Sequence, residues 1–282
     1  MTKISIITIN YNNLNGLKST VESVINQTHQ ELEYIIIDGG STDGSTAYIK
    51  SQNAAIDYWV SESDKGVYNA MNKGIEKATG DYLLFLNSGD YLYNTKVLEC
   101  VICKLTNTDV LYGNLAKVFT DGTVKVDKGP NGIPITLNTF IQGTLNHGSS
   151  FIKRDLFYKY RFYDETLKIV SDWKFFLLVL GLNTSRVKYI DITISYFDMT
   201  GISNSNLNLR KVEREKVIKE LIPTPIYKDY QRLNHLESLM KRKSFLIFTR
   251  LEDTFLLKKL NRQWLKTLMF LLKAKDVFKK RN

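Results

Sequence analysis

SESDKGVYNAMNKGIEKATGDYLLFLNSGD, residues 61–90, runs as loop, helix, strand and loop in that order. Ser61 to Gly66 is polar. From Val67 to Lys77 the apolar positions Val67, Ala70, Met71, Gly74 and Ile75, with Ala78 just beyond, recur at helical spacing. Gly80 ends that helix. Tyr82 to Leu86 is a continuous apolar run, which suits a strand buried on both faces. It stops at Asn87-Ser88-Gly89-Asp90. Polar side chains at the carboxyl end of a buried parallel strand stand where open α/β sheets bind ligands. Glu62, Asp64, Asn87 and Asp90 all flank this one helix and strand.

The preceding residues repeat the unit. Ile4 to Ile9 is a β-branched strand ending in Asn10-Tyr11-Asn12-Asn13, followed by a helix with Leu17, Thr20, Val21, Val24 and Ile25 on one face. Tyr34 to Ile37 is a second strand, ending in Asp38-Gly39-Gly40-Ser41-Thr42-Asp43-Gly44, and Ile56 to Val60 a third. Repeated β-loop-α units specify an α/β fold with a mostly parallel sheet and right-handed crossovers. The polar strand ends then fall along one edge, a nucleotide-site layout. Neither G-x-G-x-x-G nor G-x-x-x-x-G-K-[ST] is present, which argues against a dehydrogenase and a P-loop kinase.

Beyond Asp90 the pattern changes. Val97 to Leu105 reads as a helix, Asp109 to Tyr112 as a strand, and Ala116–Phe119 with Thr123–Val126 as a hairpin about Asp121-Gly122. Residues 128–144 read as a loop-rich lid, and 174–182 as one very apolar helix preceded by Ser171 and Asp172, where a cap is expected. Asn204 to Leu221 is helical and charged, Pro223 and Pro225 mark a boundary, and Leu236 to Phe278 is helical with an apolar stripe. This divides the chain into residues 1–222, with halves 1–90 and 91–222, and a tail, 223–282.

The formal charge of +10 is uneven. Leu236 to Asn282 holds thirteen Lys/Arg against four Asp/Glu, and the remaining residues are close to neutral. The N-terminus has no signal-peptide layout and no apolar run approaches the ~20 residues of a membrane span, so a cytoplasmic protein is expected. Cys100 and Cys103 read as reduced structural cysteines, because no second pair exists for zinc.

Four ordered motifs carry a resemblance: Thr8-Ile9-Asn10-Tyr11-Asn12, Ile37 to Gly44, Ser61 to Gly74, and Leu86 to Asp90. Together they resemble family 2 inverting glycosyltransferases of the GT-A fold, most of all bacterial members that build capsule, O-antigen or exopolysaccharide. The resemblance covers about residues 3–200. It implies a Rossmann-like nucleotide-binding sheet flanked by helices, with 1–90 as the nucleotide-sugar half, 91–222 as the acceptor half and the tail as a helical extension. Thr8, Asn10 and Tyr11 would line the base and ribose pocket, and Asp38 would hydrogen-bond the uracil edge of a UDP-sugar. Asp64 and Asn72 would flank the ribose and diphosphate. Asp90 stands where the family's D-x-D motif ends and would hold Mn²⁺ or Mg²⁺; the motif's first acid is Asn87 here, on the substrate side, which removes one charge. Asp172 in Ser171-Asp172-Trp173 matches the catalytic base, and His147 a position near the donor phosphates or acceptor.

The chemistry of these residues agrees. One carboxylate suffices for a hard cation that also takes water and phosphate ligands. Inversion needs one general base, and apolar neighbours would raise the Asp172 pKa toward that task. Plainer readings stand beside these: Asp38 as a turn residue, Asp90 and Asp172 as helix caps, His147 as an ordinary core or surface histidine, Thr8 and Tyr11 as structural. The implied activity moves a sugar from a nucleotide diphosphate sugar, UDP-linked, to a lipid-linked oligosaccharide or polysaccharide. The basic amphipathic tail suits the inner face of the cytoplasmic membrane, against helix packing or oligomer contact. A nucleotidyltransferase would need a basic glycine-rich loop after strand one, where Asn10 to Leu17 has none. A non-catalytic nucleotide-sugar or polyanion-binding protein is the other rival, and no nucleic-acid partner is expected.

Overall fold

The computed structural model describes residues 2–199, 206–253 and 255–279. Packing divides the chain into two units, residues 1–217 and 218–282. In the first, strands β1 (Ile4–Asn10), β2 (Leu32–Asp38), β3 (Tyr58–Ser61) and β4 (Tyr82–Phe85) alternate with helices α1 (Leu14–Ile25), α2 (Ser45–Ser51) and α3 (Val67–Lys77). The strands lie side by side in the order β3-β2-β1-β4, all parallel. β1 and β4 are buried along their whole length and β2 nearly so, which explains their unbroken apolar runs. Asn13 caps α1, its side chain accepting from the Gly16 N–H at 3.1 Å.

Strands β5 (Tyr91–Leu92), β6 (Val110–Val118), β7 (Val124–Asp127), β8 (Ser150–Lys153) and β9 (Val187–Asp198) extend the sheet to nine strands among the described residues. Here β6 and β9 are parallel and the other pairings antiparallel. The sheet is thus parallel through its first four strands and mixed beyond them. Around this part lie α4 (Val97–Ile102), α5 (Leu137–Gln142), α6 (Asp155–Tyr160), α7 (Ser171–Phe176) and α8 (Leu207–Leu221). The second unit holds α9 (Thr224–Met240), α10 (Lys243–Glu252) and α11 (Phe255–Lys279), with exposed apolar residues that include Ile247, Leu260, Trp264, Leu268 and Phe270. The expected helix start at Asn204 lies outside the described residues, as do residues 280–282 of the tail.

Three sequence expectations change. The stretch 128–144 is not wholly loop: it contains α5, whose Leu137 and Phe140 are buried, and Trp173 Nε1 donates to the Phe140 carbonyl at 2.8 Å. The apolar run 174–182 is not one α-helix, because α7 passes into a π-helical turn at Leu177–Gly181. Cys100 and Cys103 are free, as the reduced reading expects, but both are exposed, so neither is a packed structural residue.

Helix α3 approaches β1 closely. A Cβ on Gly74 would press into Ile7 Cγ2, and Ile7 is fully buried. Gly74→Ala is therefore expected to destabilise the chain by about 1–3 kcal/mol despite the better helix propensity of alanine. Urea denaturation of the two proteins measures it, and equal midpoints would refute the close approach.

Candidate active site

Register brings the polar strand ends together. Asn10 pairs with Asp38 across β1 and β2, and Asp38 with Ser61 across β2 and β3. Asp38 Oδ1 accepts from Asn10 Nδ2 at 2.7 Å and Ser41 Oγ at 2.6 Å; Oδ2 accepts from Ser61 Oγ at 2.5 Å and the Ser41 N–H at 3.0 Å. Burial pushes the Asp38 carboxyl up, but these donors outweigh it and hold the group below the usual carboxylate range. At Gly39 a Cβ would stand 3.2 Å from both the Tyr11 ring and Asp64 Oδ2. The missing side chain lets both draw in over the turn. Tyr11 is 68% exposed, an aromatic face open to a flat ligand. Lys73 Nζ bridges Asp64 at 2.5 Å and Glu62 at 2.7 Å.

The turn after β4 forms a second group. Thr20 Oγ1 on α1 donates to the Asp90 carbonyl at 2.7 Å and accepts from the Gly89 N–H at 3.0 Å. Gly89 has φ +106°, a conformation that disfavours an acidic side chain at this place in the turn. Asp90 is 4% exposed, and its Oδ1 accepts from the Asp198 N–H at 3.0 Å. Burial pushes its carboxyl up to about 7, against the opposing pull of that N–H and of His147. Asn87 Nδ2 lies 3.5 Å from His147 Nε2, while Asn87 Oδ1 is buried with no hydrogen-bond partner.

His147 Nδ1 lies 3.0 Å from Asp172 Oδ2, and the Tyr68 hydroxyl donates to Asp172 Oδ1 at 3.0 Å. Burial pushes Asp172 up, yet the hydrogen bond and charge of His147 and the Tyr68 hydroxyl hold it below the usual range. Burial likewise presses His147 down, and Asp172 outweighs it and raises the imidazole. Each partner therefore favours the other's charged form. Among the described residues no three His, Cys, Asp or Glu side chains gather tightly enough to hold a metal ion.

The sequence model of glycosyl transferase family 2 matches residues 5–173, across both groups. The chain belongs to glycosyl transferase family 2. Its similarity to an uncharacterised glycosyltransferase of Mycobacterium tuberculosis is 35% identity over 204 residues, 71% of this chain and 77% of that protein. A PGL/p-HBAD biosynthesis glycosyltransferase of Mycobacterium bovis is 27% identical over 209 residues, 70% of this chain and 78% of that one. The fold resembles S. aureus TarS 1-349 in complex with UDP-GlcNAc, with TM-score 0.58 and 20% identity over 70% of this chain and 58% of that one. It spans only 37% of a longer TarS chain. It also resembles the mannosyltransferase PcManGT of Pyrobaculum calidifontis in complex with GDP-Man and Mn²⁺, with TM-score 0.55 and 11% identity over 93% of this chain and 87% of that one.

In this glycosyltransferase the expected site residues divide. Asn10, Tyr11, Asp38 and Asp64 gather at the first group, and Asn87, Asp90, His147 and Asp172 at the second. Thr8 joins neither with its side chain: it is fully buried, with Oγ1 3.1 Å from the Tyr34 hydroxyl, so it does not line a pocket. Asp38 is equally buried, and its oxygens accept from Asn10, Ser41 and Ser61, so it braces the turn. Asn72 is also committed internally. Its Nδ2 donates to Tyr163 O at 2.9 Å and Glu165 Oε1 at 2.8 Å, and its Oδ1 accepts from the Tyr163 N–H at 3.0 Å. Asp172 is not the cap of α7, a place held by Val170, and its pKa is lowered instead of raised. Sequence reasoning missed Tyr68, Lys73 and Asp198. Tyr68 sat among helical apolar spacings and gave no polar signal, while a lysine directly after Asn72 on a helix reads as solvated surface.

Tyr68→Phe removes a donor from a partly buried carboxylate. The expected cost is about 1.5–3 kcal/mol at pH 7. Because the folded Asp172 pKa is lowered, its contribution is present above the unfolded value and is lost as pH falls through the folded one. The deficit should therefore shrink below about pH 4. Denaturation series at both pH values decide it, and a deficit that persists unchanged in acid would contradict the assignment.

Proposed function

We propose that the enzyme transfers one sugar, with inversion, from a nucleoside diphosphate sugar to an acceptor hydroxyl that Asp172 deprotonates. The Asp172 carboxylate between His147 and Tyr68 carries the reading. Held below the usual range, it remains ionised at neutral pH and is ready to accept a proton when the hydroxyl attacks the anomeric carbon. His147 and Tyr68 orient it, and their hydrogen bonds limit how far it can turn. This lowers its basicity but fixes the geometry of attack, which is the larger contribution to such steps.

The nucleotide end belongs to the first group. Tyr11 offers a stacking face, the Asp38 network braces the turn beneath it, and Asp64 is held beside Gly39. Uridine diphosphate is the carrier in this reading, supported by the fold likeness to a TarS chain captured with UDP-GlcNAc. Asp90 and Asn87 fit a divalent cation, Mn²⁺ or Mg²⁺: the Asn87 oxygen lacks a partner, and the Asp90 carboxyl is taken out of water with little compensation. When bound, the ion would offset charge on the departing diphosphate. The acceptor in this reading is a lipid-linked glycan of a surface polymer such as capsule or O-antigen. The basic tail, with Trp264 and Phe270 exposed, would hold the enzyme at an anionic membrane surface. No helix among the described residues is long and apolar enough to cross a membrane.

Calorimetric titration of UDP and GDP, with and without Mn²⁺, tests the donor. UDP binding that strengthens with Mn²⁺ in the wild type and not in Asp90→Asn is expected; no binding of either nucleotide by folded protein would sink the reading. Asp172→Asn should keep UDP affinity and lose about 10²–10⁴-fold in transfer rate. For the tail, co-sedimentation with phosphatidylglycerol vesicles should exceed that with phosphatidylcholine and weaken in salt. Equal sedimentation with both would remove the electrostatic attachment.

A further inference from the structure

Among the described residues, Arg214 on α8 forms no ion pair with a carboxylate. Its guanidinium centre lies 4.8 Å from the Trp173 ring, and Nη2 donates to the Gly143 carbonyl at 3.3 Å. Nε is buried and has no hydrogen-bond partner. The adjacent acid, Glu213, is turned elsewhere and accepts the Lys168 and Ile169 N–H groups at 2.7 and 3.0 Å. Arg210 precedes Arg214 by one helical turn, so both project from one face. Neither forms an ion pair among the described residues. Burial presses the Arg214 pKa down and Arg210 adds to that, while the charge of Asp172 opposes.

Two arginines on one helix face repel each other, and burying one without a counter-ion is costly. Such a pair is stable when an anion comes to it. The planar guanidinium suits phosphate oxygens, which it binds through parallel N–H donors. Trp173 and Gly143 hold the Arg214 group in place, and no described residue takes up its Nε–H. Trp173 follows Asp172 directly, so the cation is tied to the residue next to the base.

We propose that Arg210 and Arg214 form a binding site for a phosphate or diphosphate group of a substrate beside Asp172. This rests on the reading of Asp172 as the base. Two sources share the chemistry: the diphosphate of the donor, and a phosphate or diphosphate that joins the acceptor sugar to its lipid. In either case the site fixes an anionic handle while the reacting hydroxyl or anomeric carbon faces the carboxylate.

The test is titration of the full chain with inorganic diphosphate, UDP and a short-chain alkyl diphosphate, using wild type, Arg210→Gln, Arg214→Gln and Arg214→Lys. Thermal melts establish which variants are folded. Arg210→Gln, at a half-exposed position, carries the test if Arg214→Gln fails to fold. The glutamine variants should bind inorganic diphosphate about 10- to 100-fold more weakly, with Arg214→Lys intermediate. A matching loss for UDP assigns the site to the donor. Unchanged UDP with weakened alkyl diphosphate assigns it to the acceptor. Folded glutamine variants that bind all three ligands as wild type does would overturn the site. Wild type that binds no UDP would instead count against the transferase reading itself.

Discussion

A carboxylate drawn out of water needs donors, and the buried Asp38 and Asp90 and the partly buried Asp172 meet that need to different degrees. Asp38 has donors on both oxygens from Asn10, Ser41 and Ser61, and stays ionised despite complete burial. Asp172 has one partner on each oxygen, His147 and Tyr68, and also stays ionised. Asp90 Oδ1 accepts the Asp198 N–H, but burial outweighs that bond and the nearby His147, and its carboxyl rises to about 7. The series separates their tasks. Asp38 is saturated and braces the strand ends, Asp172 is held ionised, as the proposed proton transfer needs, and Asp90 is left wanting positive charge.

Helix α3 links these places. Tyr68 reaches Asp172, Asn72 clamps Tyr163 and Glu165, and Lys73 gathers Glu62 and Asp64. Tyr68 and Asn72 lie one turn apart, so the clamp and the Asp172 contact share a face. Gly74 on the same helix brings it close to Ile7 of β1. The Asp64 turn and the Asp172 side are thus positioned by one element whose seat is the central strand.

The first ninety residues were legible because buried parallel strands leave unbroken apolar runs, and the loops that follow them must gather at one edge. Asn10, Asp38, Ser61 and Asn87 could be placed from that rule alone. What the sequence hid was where each polar side chain turns. Thr8 and Asn72 carry motif chemistry yet face inward, to Tyr34 and Tyr163, and only packing reveals that. The sign of the Asp172 shift was misread for a similar reason: Trp173, Phe175 and Phe176 announce burial, whereas its partners come from residues 25 and 104 positions away. In the later half the β6–β7 hairpin was readable from Asp121-Gly122, but β6 also pairs with β8 and β9 from further along the chain, and short-range patterns do not encode those pairings.

The Asp38 network also bears on the thermodynamics of ligand capture. Its hydrogen bonds lock Asn10, Ser41 and Ser61 in place before any ligand arrives, so the conformational entropy of that turn is lost during folding. In the proposed reading, a nucleotide settling above it would have little left to order there except the exposed Tyr11 ring. Association at this end is therefore preorganised, and its temperature dependence should reflect surface burial more than segment ordering.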